Sequence, residues 1–437
     1  MGYTNNGDNS YTFQKYPVVV EFTDKTMFGN TTKVIPITTG TDSNKKDYKI
    51  VSWGKNNDLC DVREALIVDN NIIPQLLRTS RNIMMGTGIF CYKENYDENG
   101  KRIIQEVRPP DNVMEALMEL EEDDYWEMLG NEFVKNGLAY IRYLKDANGE
   151  YSIKVIRSRY VRPEEMDENG LIQRYFLCGN WKKKTEYAIK AVQSHQYSKS
   201  KGKFPTQFIK KISDDFLGNE YFPIPVWWTG NKWIEIGNKI PEFHTFNLEN
   251  TYFVPVHIEI PQGYFYDEVA VKFNKISEEE AKKEENEKRK AFLDRVDKVL
   301  AGHKNAGKAV WSEYFINQMQ KEYGGIKITP LDIPRNDDAL LDLFEKTNEA
   351  NISGTGVHPS LAAIMTESGL SSGSEIRNAL EMYIITQALQ PRKQLLKPLY
   401  ILKRLNGWDK DLKFGFRDIQ LTTTDKNPTG SQAVAVN

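Results

Sequence analysis

Hydrophobic residues in the middle of the chain recur at helical spacing from Pro223 to Phe246, in a segment that is also rich in aromatic residues. Gly230 and Gly237 lie seven residues apart on another strip of the same predicted helix, and Pro241 indicates a kink. The pattern therefore predicts an apolar helix with a strip of small residues. Its large apolar side chains are those of Val226, Trp227, Trp233, Ile234 and Ile240.

A second, strongly charged helix is predicted from Ser277 to Ala301. The hydroxyl of Ser277 can cap the free amides of the first turn, and the three glutamates that follow it suit the positive end of the helix dipole. Only the second half of this helix carries an apolar stripe, formed by Phe292, Leu293, Val296, Val299 and Leu300. Together with the extended segment Asn250–Lys275, the two helices predict a packing unit between subunits; the alternative is an ordinary helical pair that caps a domain.

The N-terminal half contains both helical and strand-like spacings of hydrophobic residues. A helix is predicted from Val62 to about Met85, with a possible break at Pro74, and the turn at Asn99-Gly100 predicts a β-hairpin. This half is therefore predicted to be α+β with an antiparallel sheet. The other predicted elements are helices over Asn112–Glu121 and Tyr125–Asn136 and strands over Leu138–Leu144, Tyr151–Ile156 and Leu171–Leu177.

The C-terminal part is predicted to be mainly helical. Helices are predicted over Asp337–Ile352 and from Glu375 to about Gln390, with Pro391 and Pro398 interrupting the second one. A strand is expected within Leu412–Leu421. Further strands are predicted over Ala309–Phe315 and Gly325–Leu331, and short strand-like runs lie at Val18–Phe22 and Val34–Ile37.

Composition supports a folded chain of 437 residues, because 40% of the residues are hydrophobic and 27% are charged. No apolar run reaches the length of a bilayer span. The three cysteines are far apart and have no nearby histidines, so they are interpreted as small apolar fillers in a reducing compartment. A net charge of −3 argues against a protein whose main task is to grip nucleic acid tightly.

Charge is distributed unevenly along the chain. Eight acidic residues and no basic residue lie between Asp111 and Glu127, whereas nine lysines and the single Glu186 lie between Trp181 and Ser213. Subunits of a ring could use two such segments as complementary faces. The alternative is two solvated surfaces that never meet.

One segment of the chain has the spacing of a catalytic motif. Gly302–Lys308 has the spacing of a phosphate-binding loop, but Ala309 stands where a hydroxyl should hold magnesium, and the segment follows a predicted helix. The match is interpreted as a coincidence. The five histidines have no metal-pair spacing and no neighbouring nucleophile. No catalytic residue, metal site or cofactor is predicted, so the chain is not expected to be an enzyme.

Four stretches of the chain carry a resemblance to a known family. The first two are Trp53-Gly54-Lys55-Asn56-Asn57-Asp58, before a helix that ends at Gly86-Thr87-Gly88, and Phe133–Tyr140, with the later Val161-Arg162-Pro163 and Asn169-Gly170. The others are Gly302–Lys308 and Gly356-Val357-His358-Pro359. Together they resemble the portal proteins of tailed bacteriophages and prophages, in the order and at the separations that this family shows, from about Trp53 to Asp425. His358 departs from the family, because it replaces the first of two prolines.

The resemblance implies an α+β, portal-like subunit with an α/β wing, a two-helix stem, a small clip and a short helical crown. The expected divisions are an N-terminal arm at 1–50, the wing at 51–222 and 303–330, the stem helices at 223–249 and 277–302, and the clip at 250–276. A tunnel loop and a channel helix are expected at 331–353, and a helical crown region with a tail at 354–437.

The resemblance also implies a function. Portal subunits form a ring, usually of twelve, at one capsid vertex, and double-stranded DNA is packaged and ejected through it. The implied partners are other copies of the chain, genomic DNA, the terminase large subunit, a head–tail adaptor, and the major capsid or scaffolding protein, with no membrane and no cofactor. The implied location is the virion, and the host cytoplasm during assembly.

The residues expected to act follow from that resemblance. The candidate tunnel loop contains Asp332, Pro334, Arg335 and Asn336, and Ser368–Ser374 is the second candidate. Two other functions stay open: another ring-forming virion protein, such as a connector or scaffold-associated protein, and a nucleotide-binding enzyme that uses Gly302–Lys308. The expected stem and subunit-interface residues are Trp227, Trp233, Ile240, Phe292, Val296 and Leu300.

Overall fold

The computed structural model describes residues 3–5, 10–13, 19–21, 33–39, 46–250, 256–259, 277–300, 327–330, 337–364 and 373–419. The chain divides into two compact units. The first unit spans Met1–Glu235 and Thr347–Asn437, and the second unit spans Ile236–Lys346. The architecture is mixed α+β, as predicted.

The chain begins with short strands and then forms a layer of helices. The strands are β1 (Tyr3–Asn5), β2 (Ser10–Phe13), β3 (Val19–Glu21), β4 (Val34–Thr39) and β5 (Lys46–Val51), and the helices are α1 (Leu59–Val68), α2 (Ile73–Met85), α3 (Asp111–Glu122) and α4 (Tyr125–Asn136). Between α2 and α3 lies a hairpin of β6 (Ile89–Tyr96) and β7 (Arg102–Glu106).

The predicted break at Pro74 is confirmed. Pro74 occupies the first turn of α2, where its missing amide costs no hydrogen bond. The side chain of Asn70 accepts hydrogen bonds from the amides of Ile72 and Ile73 at 3.1 and 3.0 Å, so it satisfies groups that the helix start leaves free.

The main sheet of the described chain follows α4 in the sequence. Its elements are β8 (Leu138–Lys145), β9 (Tyr151–Ile156), β10 (Val161–Pro163), β11 (Arg174–Leu177), β12 (Lys190–Ser194), α5 (His195–Ser200) and β13 (Gln207–Ser213). The six strands lie in the order β10-β11-β12-β13-β8-β9. The pairing is antiparallel except between β12 and β13, because the short helix α5 crosses over between them. The sheet is therefore the predicted antiparallel one with a single parallel pair.

The last part of the predicted arm packs on this sheet. β4 and β5 form an antiparallel hairpin, and Ile37 and Ile50 of the hairpin are buried with Phe176, Cys178 and Trp181 of the sheet region. Ile50 also forms a β-bridge with Glu164. The strands β4 and β5 are therefore part of the first unit's structure.

The C-terminal helices contribute to the same hydrophobic core as the N-terminal half. Helix α9 (Gly373–Tyr383) continues through a π-helical segment, Ile384–Ala388, into α10 (Leu389–Leu405), and β16 (Lys413–Phe416) pairs with β6. Helix α10 packs against β9 and β13. The buried residues that this region adds to the main core are Leu395, Leu396, Leu399, Leu402, Trp408, Leu412, Phe414 and Phe416.

The prediction that Pro391 and Pro398 interrupt the helix is wrong. The π-helical segment ends at Ala388, three residues before Pro391, and its wider turn makes room for the proline ring. Pro398 lies inside α10, where it is buried, and its carbonyl accepts a hydrogen bond from the Tyr143 hydroxyl at 3.1 Å. Tertiary packing therefore carries the helix through both prolines.

The middle of the chain contains the two predicted long helices. The first one starts later than predicted: Val226–Gly230 forms a 3-10 turn, and α6 spans Asn231–Asn250. The second, α7, spans Glu278–Leu300, and α8 spans Asp337–Thr355. Within the described residues, no helix is long and apolar enough to cross a membrane.

In the second unit, β14 (Val256–Glu259) pairs antiparallel with β15 (Lys327–Pro330). The sequence-based divisions place β14 in the clip and β15 in the second part of the wing. The pairing links these two segments in one small sheet, so they are structurally coupled.

Candidate functional site

A buried polar cluster connects the Trp53–Asp58 segment with the main sheet. Asn57 has a positive φ of 60°, a conformation that asparagine tolerates, and its Oδ1 accepts a hydrogen bond from the Trp53 amide at 2.9 Å. Arg162, on β10, donates from Nε to the same oxygen and from its terminal nitrogen to the Asn57 carbonyl at 2.8 Å. The cluster therefore fixes the N-terminal segment onto the sheet.

Aromatic rings surround the two arginines of this cluster. Trp53 stacks on Phe222 with ring centroids 4.7 Å apart. The guanidinium of Arg63 lies 5.1 Å from the Trp228 ring centroid, and that of Arg162 lies 5.6 Å from the Trp53 ring centroid. Such cation–π contacts stabilise charge in a place that excludes water. Burial lowers the pKa of both arginines to about 10, which leaves them protonated at neutral pH.

A cavity of about 290 Å³ lies beside the cluster and includes Arg63, Glu132, Arg157 and Arg159 in its lining. Glu132 is buried and accepts a hydrogen bond from the Ser158 amide at 2.8 Å. The Cys60 thiol also lines the cavity, and burial raises its pKa to about 12. A thiol with that pKa stays protonated and is a poor nucleophile. The cluster therefore has the chemistry of a structural centre.

Arg63 and Glu132 were not among the residues predicted from the sequence. Arg63 lies at i+4 from Leu59 and four residues before Ile67, and all three are buried on α1. A charged residue at a position of the apolar stripe was a signal in the sequence that a buried charge cluster exists.

A second cavity, of about 480 Å³, is lined by residues that include His195, Lys210, Lys211 and Asp215. Burial first, and then the nearby Lys210, lower the pKa of His195 to about 4. Burial likewise lowers the pKa of Lys210 to about 8. The imidazole is therefore neutral at pH 7. Among the described residues, no group of His, Cys, Asp and Glu side chains could hold a metal ion.

The six expected interface residues have different environments. The Trp227 side chain is 4% exposed, and its indole nitrogen donates to the carbonyls of Val134 and Lys135 at 3.0 and 3.2 Å, so it packs within its own chain. Trp233 is 43% exposed. Ile240 is buried, Phe292 is partly exposed, and the side chains of Val296 and Leu300 lie outside the described part.

Apolar residues follow one face of α6 within the second unit. Ile236 and Phe243 are exposed, whereas Ile240, four residues after the first and three before the second, is buried. This is the spacing of a helix–helix seam. Trp233, three residues before Ile236 on the same helix, is exposed as well.

Helix α7 begins as predicted. The Ser277 hydroxyl accepts a hydrogen bond from the Glu280 amide at 3.2 Å, and the Glu280 carboxylate accepts one from the Ser277 amide at 3.0 Å. This reciprocal pair is a capping box, and it fixes the start of the helix. Most of the first half is exposed, as its charge predicted, but Ala281 is buried.

Both strongly charged segments lie on the first unit. The acidic segment forms α3 and the start of α4, and its Asp123 and Glu127 pair with Lys154 and Arg81. In the lysine-rich segment, Lys182 pairs with Asp58 at 3.1 Å. Most of the other charged side chains in both segments are exposed to solvent.

The candidate tunnel-loop residues Asp332, Pro334, Arg335 and Asn336 lie outside the described residues, as does Gly302–Lys308. In the stretch Gly356-Val357-His358-Pro359, Val357 is buried in the core and His358 is at the surface. The His358 side chain is 43% exposed, and its Nε2 lies 3.8 Å from the Glu375 carboxylate. The three cysteines are free and buried, which confirms that they are fillers.

No protein-family model matches the chain, and no curated protein matches it. Among solved structures, it is similar at 13% identity to a chain in the neck of an empty GTA particle computed with C6 symmetry. The TM-score is 0.46, over 81% of this chain and 83% of that one. The virion of a native gene transfer agent particle gives the same values, and the neck of a native GTA particle with C12 symmetry gives a TM-score of 0.41 over 84% and 85%.

Proposed function

We propose that this chain is the subunit of a phage portal, a ring at one capsid vertex through which double-stranded DNA is packaged and ejected. The observation that carries the proposal is the pair of long helices in the middle of the chain. Helix α6 and helix α7 flank residues 251–276, the arrangement expected of two stem helices on either side of a clip. The capping box at Ser277 supports a defined start for the second stem helix.

The buried cluster supports the resemblance at a second place. Two stretches that resemble the family, Trp53–Asp58 and Val161-Arg162-Pro163, lie 105 residues apart where Asn57 and Arg162 meet. Their association in one cluster gives both stretches a shared structural role. It also explains their residue types without catalysis, because the asparagine and the arginine hold the N-terminal segment on the sheet.

The proposed ring needs two different contact faces on each subunit, since head-to-tail contacts join unlike surfaces. The acidic helix α3 and the lysine-rich segment 181–213 supply surfaces of opposite charge on one unit. Trp233 and the α6 residues Ile236 and Phe243 supply apolar contact area. We propose that twelve subunits close through these surfaces.

The proposed channel is one that DNA can slide through. In the second unit, Asp338, Asp342 and Glu345 are exposed at spacings of four and three residues, which places them on one face of α8. A carboxylate face repels the phosphates of the DNA, whereas lysines or arginines there would hold them. In this proposal α8 and the loop with Arg335 face the DNA. Terminase, the head–tail adaptor and capsid or scaffolding protein bind outside the channel.

Charge reversal on α8 tests this function. In particles assembled with the capsid and terminase proteins of the same phage, the triple variant Asp338→Lys, Asp342→Lys, Glu345→Lys should slow DNA packaging, and added salt should relieve the defect. A matched control reverses three exposed glutamates at turns of the first unit, Glu98, Glu150 and Glu168, which lie outside the proposed contact surfaces. Packaging that is unchanged in the α8 variant, or reduced equally in both variants, would contradict a channel-lining α8.

A further inference from the structure

The β6–β7 hairpin of the first unit has an open edge. The Asp97 amide bonds to the Lys101 carbonyl at 3.0 Å, and the Val107 amide bonds to the Cys91 carbonyl at 2.9 Å. Because inward- and outward-pointing residues alternate in an antiparallel pair, these two bonds fix the orientation of the strand between them. Arg102, Ile104 and Glu106 therefore direct their backbone amides and carbonyls away from β6.

Nothing in the described part of the chain pairs with that edge, since β7 is the last strand in the order β16-β6-β7. The side chains of β7 are exposed along its whole length. Ile103 is 47% exposed and Ile104 is 53% exposed, and they lie on opposite faces of the strand. Tyr96, opposite Arg102 on β6, is 68% exposed. An edge with this much apolar surface is a template for pairing with another strand.

The other edge of the same three-stranded sheet is blocked. The Tyr400 hydroxyl accepts a hydrogen bond from the Phe414 amide and donates one to the Phe414 carbonyl, each at 3.2 Å. The backbone groups that β16 would offer to a further strand at Phe414 are therefore already bonded. Growth of this sheet is possible at β7 and is hindered at β16.

We propose that two copies of this chain associate by antiparallel pairing of their β7 edges, centred on Ile104. In this register Ile104 lies opposite Ile104 of the second copy, and Arg102 lies opposite Glu106 of the second copy. All three outward-pointing residues then meet as hydrogen-bonded pairs, each of which exchanges two backbone hydrogen bonds. A two-fold axis through Ile104 makes the contact self-complementary.

Charge complementarity indicates that the strand paired with β7 belongs to a second copy of this chain. The strand reads Arg102-Ile103-Ile104-Gln105-Glu106, so its ends carry opposite charges and match when two strands run antiparallel. Arg102 and Glu106 share a face with Ile104. Within one copy they pair with Glu94 and Arg417, and the contact would join these pairs into one row of alternating charges.

This contact differs from those of the proposed ring and does not depend on it. A ring closed by head-to-tail contacts contains no two-fold axis between neighbours, so the β7 dimer belongs to subunits outside the ring. Five residues a side bury much less area than stable interfaces do, and we therefore expect a weak dimer that forms at high protein concentration.

A single cysteine tests the register in the full-length chain. Paired residues of this type have Cα atoms about 5.5 Å apart, which is within the range for a disulfide. Under mild oxidation, Ile104→Cys should give a disulfide-linked dimer on a non-reducing gel. Asn99→Cys, at the exposed hairpin turn, is the matched control and should stay monomeric on the gel. The native cysteines are buried and contribute little background.

Charge reversal then tests whether the strand paired with β7 is that of a second copy. In the Ile104→Cys background, Arg102→Glu alone and Glu106→Arg alone should each lower the dimer yield several-fold, because like charges then face each other. Mixing the two variants pairs Glu with Arg at both ends, so the yield should return. Tags of different size show whether the restored product contains one chain of each variant.

Three results would overturn the proposal: no disulfide with Ile104→Cys at high protein concentration, equal cross-linking with Asn99→Cys, or no gain when the two charge variants are mixed. The last of these results would count against a second copy as the partner and leave a strand of a different protein as the alternative. A ring-assembly defect would not imitate these outcomes, because assembly can be followed by particle mass in the same samples.

Discussion

Arg162 donates hydrogen bonds to both oxygens of Asn57, its side-chain Oδ1 and its backbone carbonyl, although the two residues are 105 positions apart. The guanidinium group also donates to the Val161 carbonyl at 2.8 Å. Only a planar group with several donors can satisfy these acceptors together. The cluster around Trp53 therefore depends on arginine as such and not on positive charge alone.

Replacement of Arg162 by lysine tests that dependence. Lysine keeps the charge but leaves buried acceptors unpaired, so the free energy of unfolding should fall by about 3 kcal/mol. Urea denaturation measures the change. Arg108→Lys is the control, because the Arg108 side chain is 78% exposed and should cost less than about 0.5 kcal/mol. Equal stability of Arg162→Lys and wild type would show that the hydrogen bonds contribute little.

Gly86 provides a test of the contact between the N-terminal helices and the C-terminal segment. A Cβ atom at Gly86 would lie 1.9 Å from the Arg417 carbonyl oxygen, and the φ of 58° is already unfavourable for other residues. The neighbouring Thr87 amide bonds to that same oxygen at 2.9 Å. Gly86→Ala must displace the backbone that carries Arg417.

We expect Gly86→Ala to lower the free energy of unfolding by about 3 kcal/mol or more. Gly100→Ala is a matched control with a φ of 73° and open space around the position, and it should cost only about 1 kcal/mol of backbone strain. Thermal denaturation of the two variants measures the difference. Similar losses in both would mean that the C-terminal segment does not pack against Gly86.

The pH dependence of stability tests the environment of His195. Its pKa is lowered from 6.5 to about 4 in the folded chain, so the unfolded chain takes up the proton first as the pH falls. The stabilisation from the neutral imidazole is complete above pH 6.5 and is lost between pH 6.5 and about 4. It amounts to at most about 3 kcal/mol.

His195→Phe removes this titration and keeps an aromatic ring beside Phe204 and Phe208. From pH 7 to pH 5, unfolding experiments should show a smaller loss of stability for the variant than for wild type. Carboxylates titrate in both proteins, so only the difference between the two curves is informative. Parallel curves would show that His195 is protonated in the folded chain as it is in the unfolded one.

Substitutions of two tryptophans distinguish an effect on folding from an effect on assembly. Trp227→Ala removes a buried ring and two hydrogen bonds, and it should cost about 3–5 kcal/mol of unfolding free energy. Trp233 is 43% exposed, so Trp233→Ala should change the stability of the subunit by less than about 1 kcal/mol. If Trp233 lies between subunits, its variant should still reduce the mass of the assembled particle. Full-mass particles of Trp233→Ala would remove it from the interface.

Periodicity and turn chemistry predicted most local elements of the described chain. The break at Pro74, the hairpin at Asn99-Gly100 and the start of α7 at Ser277 all follow from residues within one or two turns of the feature. Where a predicted element was wrong, tertiary packing had overridden the local sequence signal. Pro391 and Pro398 stay in a helix because its other face is buried, and Val226–Gly230 forms a 3-10 turn because Trp227 and Trp228 are in the core.

The site was less predictable than the fold. Trp53–Asp58 and Val161-Arg162-Pro163 are both part of the resemblance found in the sequence. No local pattern, however, indicates that Asn57 and Arg162 are in contact. The pairing of β16 with β6 is also a long-range contact, with more than three hundred residues between Cys91 and Phe414. The assignment of Asp332, Pro334, Arg335 and Asn336 to a tunnel loop stays a prediction.

The central claim is that the chain assembles into a ring, and the particle mass tests it most directly. Light scattering after gel filtration should give about 605 kDa for twelve copies of the 50.4 kDa chain, and electron microscopy of the same fraction should show rings with a central hole. A chain that stays at one or two copies at every concentration, also when it is produced together with its capsid and scaffolding proteins, would contradict the account.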